Sequence, residues 1–216
     1  MILFLIWLYS LDIARWFLSS LNIIWTINKK PNTVYLTIDD VVNPDSFEEI
    51  LDVFDKFNVK ATFFVISSYV TESNKKLLTR SVKSGHRLAN HGQRNKMHAL
   101  YSDIKLLEEI EECDNLIKQI YLENNIEIPK EKFFRPGCGI TTKTIEKVCS
   151  MLDYKIVLGS VYPSDTKLPF PNILAWYIIF KTKPNDIIIL HDRPHCPSTL
   201  KNILPYLKEK FVLDVL

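Results

Sequence analysis

The chain has 216 residues, 47% of them apolar and 24% charged, with a formal charge of +2. That length suits one domain with a sizeable core, and near-balanced charge with no long basic run argues against a nucleic-acid partner. The cysteines, Cys113, Cys138, Cys149 and Cys196, form no C-x-x-C pair, so neither a zinc knuckle nor a disulfide framework is indicated.

The chain opens on "MILFLIWLYSLDIARWFLSSLNIIW", long enough to span a bilayer but interrupted by Asp12 and Arg15. Each would cost about 2.5–3.5 kcal/mol at a membrane centre. No basic residue precedes the apolar run and no A-x-A site ends it, which argues against a cleaved signal peptide. Two readings stand for this segment, residues 1–28: a membrane anchor or membrane-lying segment, or a helix docked on the domain. Arg15, Lys29 and Lys30 follow the first apolar run, which by the positive-inside rule places the C-terminal side in the cytoplasm. One domain is expected over 29–216.

From residue 33 the pattern is regular. "TVYLTI" (33–38) predicts a buried strand, and "SFEEILDVFDKFN" (46–58) carries a helical apolar stripe of Phe47, Ile50, Leu51, Phe54 and Phe57. Asp45 or Ser46 could cap that helix, and Glu48 and Glu49 favour its positive end. "KATFFVI" (60–66) is the next strand, and "NKKLLTRSVKSG" (74–85) the next helix, ended by Gly85. "HRLAN" (86–90) reads as a strand, 103–123 as the longest helix, "KFFR" (132–135) as extended and 143–152 as helical. "KIVLGS" (155–160) and "DIIIL" (186–190) are apolar strands, and 199–210 is a helix despite Pro205. Within "NILAWYIIF", Trp176 is expected in the core. About seven strands alternating with helices predict a parallel sheet with crossovers, an α/β fold that suits a small, incomplete barrel.

In such barrels chemistry collects at the C-terminal strand ends. Here those ends carry Asp39 and Asp40, Asn90 and His91, Arg135, the stretch Ser160 to Asp165, and His191, Asp192 and Arg193. Any one is ordinary, since Asp-Asp after a strand is most often a turn or cap, but five ends converging on one mouth form a chemically coherent set.

"TIDD" (37–40), "NH" (90–91), "FRPGCG" (134–139), "YPSD" (162–165) and "LHDR" (190–193), in that order, resemble the five motifs of the polysaccharide deacetylase family. "RPGCG", "VLGSVYPSD" and "LHDR" look most like its chitin deacetylase branch. The resemblance covers 33–216 and implies a NodB-like fold, a distorted, incomplete (β/α)7 barrel. It also implies a metal-dependent hydrolase that removes acetyl groups from a chitin-like or other N-acetylated polysaccharide or glycan.

Carried onto this sequence, the resemblance gives Asp39 as general base, His191 as general acid, Arg135 as the arginine that holds the base, and Asp165 as the acid that tunes the site. Asp40 and His91 resemble metal ligands, with zinc the expected ion and cobalt or manganese suited to similar ligands. A divalent ion would acidify water and polarise the acetamide carbonyl, and a histidine near neutrality can protonate the leaving amine. Family members work mostly outside the cytoplasm, which implies a membrane-anchored, secretory-pathway or cell-surface location.

The second motif departs from the family. A second histidine is usual four residues after the first; here that position is Asn95, and the next histidine is His98. On one helix His91 and His98 would stand about 10 Å apart along the axis. Either Asn95 contributes its amide oxygen, or a loop permitted by Gly92 brings His98 in, or Asp40 and His91 hold the ion with water or there is none. Val41 stands where the family usually has a small residue, which narrows the site or changes its substrate. Cys138 reads as a small buried thiol, with no histidine assigned to activate it, and Tyr162 as a candidate for the cleft rim. The rival functions are a catalytically impaired relative that binds glycan without hydrolysing it, and an amidase for a non-sugar amide.

Overall fold

Strand β2 (Thr33–Val41) is buried at every position, as expected of a β-branched, apolar strand covered on both faces. In this computed structural model, which describes residues 22–216, β2 pairs in parallel with β3 (Thr62–Val65) and β7 (Ile187–His191). β8 (Val212–Asp214) pairs with its first residues. The sheet continues through β4 (Arg87–Asn90), β5 (Lys132–Phe134) and β6 (Tyr154–Val157) to the two-residue β1 (Ile23–Ile24), in the order β1-β6-β5-β4-β3-β2-β7. Every ladder is parallel.

The sheet curls but does not close. Between β6 and β7 there is no ladder, only a parallel bridge from Val161 to Ile188. The N-terminal segment fills this seam: β1 pairs with β6, while Thr26 bridges Asp186. Trp25 and Ile27 are buried there, so the folded unit takes in residues 22–28 as well as 29–216. The apolar stretch before them, residues 1–21, lies outside the described residues. No described helix is long and apolar enough to cross a membrane.

Among the described residues six α-helices cover the sheet: α1 (Phe47–Phe57), α2 (Lys75–Lys83), α3 (Asp103–Glu123), α4 (Lys143–Met151), α5 (Pro171–Lys181) and α6 (Cys196–Lys210). α3 begins on Ser102, whose side chain accepts from the Lys105 N–H, and α4 likewise on Thr142, the expected hydroxyl caps. Helix α6 starts three residues before the expected 199, with Pro197 in its first turn, where the missing N–H costs nothing. β6 is shorter than expected because the backbone turns at Gly159, with φ +109.

Trp176 is a correction. It is 48% exposed and stacked on Phe180 with centroids 5.5 Å apart. The run 171–181 is apolar nearly all round, so hydrophobicity could not tell its faces apart. In the fold Leu174, Ala175, Tyr177 and Ile178 take the inward face.

The alternation of strand side chains sets up everything that follows. Val34, Leu36 and Ile38 point to the helices, where Phe63 packs edge-on against Phe47 and Phe54. Tyr35, Phe64, Ala89, Phe133, Val157 and Ile187, one from each of β2 to β7, meet in a separate inner cluster. Counting two residues on from that inner layer gives Thr37 and then Asp39 on β2, His91 after β4, Arg135 after β5, and Ile189 then His191 on β7.

Candidate active site

Those inward positions converge on one cavity of about 760 Å³, lined among others by Asp39, Asp40, His91, Asn95, Arg135 and His191. Asp39 and His191 are register partners on β2 and β7. Strand alternation would send Asp40 to the opposite face from Asp39. Its φ of +60 and the register shift between Ile38 and Val41 turn it back into the cavity.

Asp39 Oδ1 is ion-paired with Arg135 Nη1 at 2.5 Å, and both side chains are buried. The guanidinium is fixed further by donating from Nε to Val157 O (3.1 Å) and from Nη1 to Thr37 Oγ1 (2.9 Å). It lies over the Phe64 ring, 4.0 Å from its centroid. A fork held at this many points presents the carboxylate in one orientation.

On the facing strand, His191 donates its backbone N–H to Asp165 Oδ2 (2.7 Å), and its Nδ1 lies 2.9 Å from Oδ1. Its Nε2 is then left facing Asp39 Oδ2 at 4.0 Å. Burial works against the imidazolium, but the carboxylates of Asp165, Asp39 and Asp40 outweigh it and raise the His191 pKa above the ordinary histidine value.

His91 Nδ1 donates to the Arg135 carbonyl at 2.6 Å. A carbonyl can only accept, so in the neutral ring Nε2 carries the lone pair, and it faces Asp40 Oδ1 at 3.5 Å. Asp40 Oδ2 is ion-paired with Arg193 Nη2 at 2.5 Å. Burial would raise the Asp40 pKa, but His91, His191 and Arg193 hold it well below the usual carboxylate range. Next to them Asp192 accepts from Ser46 Oγ (2.6 Å) and the Asn43 N–H (2.7 Å), yet burial pushes its carboxyl up to about 7.

The cavity thus brings together Asp39, Asp40, His91, Arg135 and His191, with Asp165 immediately behind His191. His98 is not brought there. The loop after Gly92 does fold inward, but it carries the His98 ring behind the site, against Phe134 and Tyr101. Its Nδ1 accepts from the Gly137 N–H at 2.7 Å, and burial, then His91, lower its pKa to about 4. Asn95 lines the cavity instead. Among the described residues no group of three or more His, Cys, Asp and Glu side chains could hold a metal ion. Cys138 is exposed rather than buried and lines the cavity, as does Tyr162.

Sequence reasoning placed Arg193 at a strand end but gave it no role, and it missed Trp25. Arg193 stands in the "LHDR" motif, but its partner Asp40 lies 153 residues away, and spacing along the chain carries no sign of that pairing. Trp25 lines the cavity from the N-terminal segment, which composition marked only as apolar.

The polysaccharide deacetylase family model matches residues 26–157. The chain is 28% identical to a peptidoglycan-N-acetylglucosamine deacetylase of Bacillus cereus over 192 residues, 86% of each chain. It superposes on a family 4 acetyl xylan esterase from Clostridium thermocellum, solved with a cobalt ion, with a TM-score of 0.74 and 29% identity, over 85% of this chain and 87% of that one. It also matches a CE4 family pseudoenzyme from Bacillus anthracis, with a TM-score of 0.79 and 20% identity, over 90% of this chain and 67% of that one. With the family model spanning more than half its length, and the family's motifs gathered at one barrel mouth, the chain belongs to the polysaccharide deacetylase family.

Proposed function

We propose that the chain hydrolyses the acetamide of an N-acetylated glycan, releasing acetate and a free amine. The observation that carries this reading is the opposition of Asp39 and His191 across 4.0 Å, each fixed by a partner of its own, Arg135 and Asp165. Asp39, oriented by the Arg135 guanidinium, accepts the proton of the attacking water as the water oxygen bonds to the carbonyl carbon. His191, whose pKa Asp165 helps to raise, delivers its Nε2 proton to the nitrogen as the carbon–nitrogen bond breaks. Asp39 then returns the proton it took to His191, which restores both groups, and the acetic acid loses its own proton to the released amine or to solvent. Such positioned acid–base pairs contribute about 10²–10⁴-fold each.

Asp40 and His91 fit as two ligands of one divalent ion. Two donors about 2.0–2.2 Å from a tetrahedral ion stand about 3.3 Å apart, close to the 3.5 Å between His91 Nε2 and Asp40 Oδ1. The anchoring of His91 through Nδ1 is the kind of outer contact that aims a ligand histidine. Bound there, zinc, cobalt or manganese would acidify water and polarise the carbonyl. Asn95, which lines the same cavity, is the candidate for a third donor. The apolar run over residues 1–21 supports membrane attachment, with the domain on the lumenal or outer side where glycans are found, against the positive-inside reading of Arg15, Lys29 and Lys30.

Acetate release from chitooligosaccharide and from peptidoglycan glycan tests the reading. Wild type should release acetate, and Asp39→Asn and His191→Ala should not. Unchanged turnover in either variant refutes the roles given.

A second reading has its own support: Arg193 occupies one oxygen of Asp40, and the His98 imidazole is held by the Gly137 N–H instead of joining His91 in the cavity. On it, the cleft binds glycan without cleaving it. Glycan binding with no acetate release at any added ion concentration would favour it.

A further inference from the structure

We propose that Arg193 is a built-in competitor for Asp40, setting how tightly this chain holds a divalent ion. The proposal rests on the reading of Asp40 and His91 as ion ligands. Asp40 offers two oxygens in a buried setting: Oδ1 faces His91, and Oδ2 is taken by the Arg193 guanidinium. A bound ion therefore meets a carboxylate whose charge is already compensated, with a fixed positive charge a few ångströms away.

The arginine is held at its tip by two partners, Asp40 and the Asp192 carbonyl, and still reaches solvent. Its Nη1 donates to the Asp192 carbonyl at 2.8 Å, and the Asp192 carboxylate is tied to Asn43 and Ser46 at the start of α1. The side chain is 30% exposed, whereas that of Asp40 is only 5% exposed. Arg193 also borders a second cavity of about 370 Å³, shared with Val42, Asn43, Pro44 and Tyr69. That space receives the guanidinium when Asp40 turns to another cation. The residue is a positioning residue: it acts on the ion through Asp40 and not on the substrate.

The test is cobalt binding to the full chain, read by visible absorption and calorimetry for wild type, Arg193→Gln, Arg193→Lys and Asp40→Asn. Arg193→Gln should bind cobalt at least tenfold more tightly than wild type, Arg193→Lys should stay within a few-fold of wild type, and Asp40→Asn should lose the site. If Arg193→Gln melts early, Arg193→Met, which keeps the aliphatic stem, carries the same expectation. Equal or weaker binding in the neutral variants, with wild type still binding through Asp40, overturns the competition and leaves the ion reading intact. No Asp40-dependent binding in any form overturns both.

Discussion

Asp39 and His191 are neighbours across the parallel strands β2 and β7, and their side chains face each other at 4.0 Å, carboxylate oxygen to imidazole nitrogen. The same register that stitches the sheet therefore sets the separation of base and acid. Two rigid ladders hold this spacing, so removing a group should alter chemistry more than geometry.

His191 acts as an acid only while protonated, so activity should fall as pH rises through its pKa. Asp165 is among the carboxylates that raise that pKa. Asp165→Asn should therefore move the alkaline limb of the kcat/KM profile to lower pH while the melting temperature changes little. A limb that stays in place would assign it to another group.

The buried Asp39–Arg135 pair should behave asymmetrically. Arg135→Met leaves a carboxylate without its cation and should cost about 3–5 kcal/mol of stability, whereas replacing both partners with apolar residues should recover most of it. Urea unfolding of Arg135→Met and of the double variant Asp39→Leu with Arg135→Met measures both. Activity should be absent in the double variant despite its recovered stability.

His86 is a pH-dependent element remote from the cavity. It packs between Phe54 and Phe63, and its Nδ1 accepts the Ala61 N–H at 3.0 Å. Burial, then the charge of Lys60, lower its pKa to about 4, with Asp55 opposing. The unfolded chain, with an ordinary histidine pKa near 6.5, binds a proton that the folded chain refuses. Stability is therefore fully present above about pH 6.5 and lost toward pH 4, by at most about 1.4 kcal/mol per pH unit. The loss between pH 7 and 4.5, measured by urea unfolding, should be smaller in His86→Gln.

Gly92 has φ +83, and a Cβ there would stand 2.5 Å from His98 Nε2. The His98 ring cannot retreat easily, being held by the Gly137 N–H and packed on Phe134. Gly92→Ala should cost about 1–3 kcal/mol from overpacking alone, with strain at positive φ added. Adding His98→Ala should return part of the loss. A melting temperature equal to wild type for Gly92→Ala would contradict the close approach.

Strand periodicity made much of this site legible. Once "TVYLTIDD", "RLANH", "KFFR" and "IIILH" are read as parallel strands, counting by twos puts Asp39, His91, Arg135 and His191 on one face. The long helix over 103–123 was legible as an element, whereas its Ser102 cap and its exposed Ile104 emerge only in the fold. What stayed hidden depends on contacts between distant parts of the chain. Nothing in "NHGQRNKMH" shows that Gly137 will claim His98, and nothing in "LHDR" shows that Asp40 will claim Arg193. Trp176 was misplaced because a helix apolar on every side gives no sign of which side faces water.

The left-handed turn at Asp40 carries a consequence of its own. Two consecutive residues on a strand normally look away from each other, so a reaction centre wanting a pair of acids from adjacent positions cannot take both from a regular strand. Rotating a single torsion lets one strand supply both, a fraction of a helix pitch apart. The proton acceptor and the carboxylate beside His91 are therefore welded by one peptide unit and cannot drift independently, however the surrounding loops rearrange.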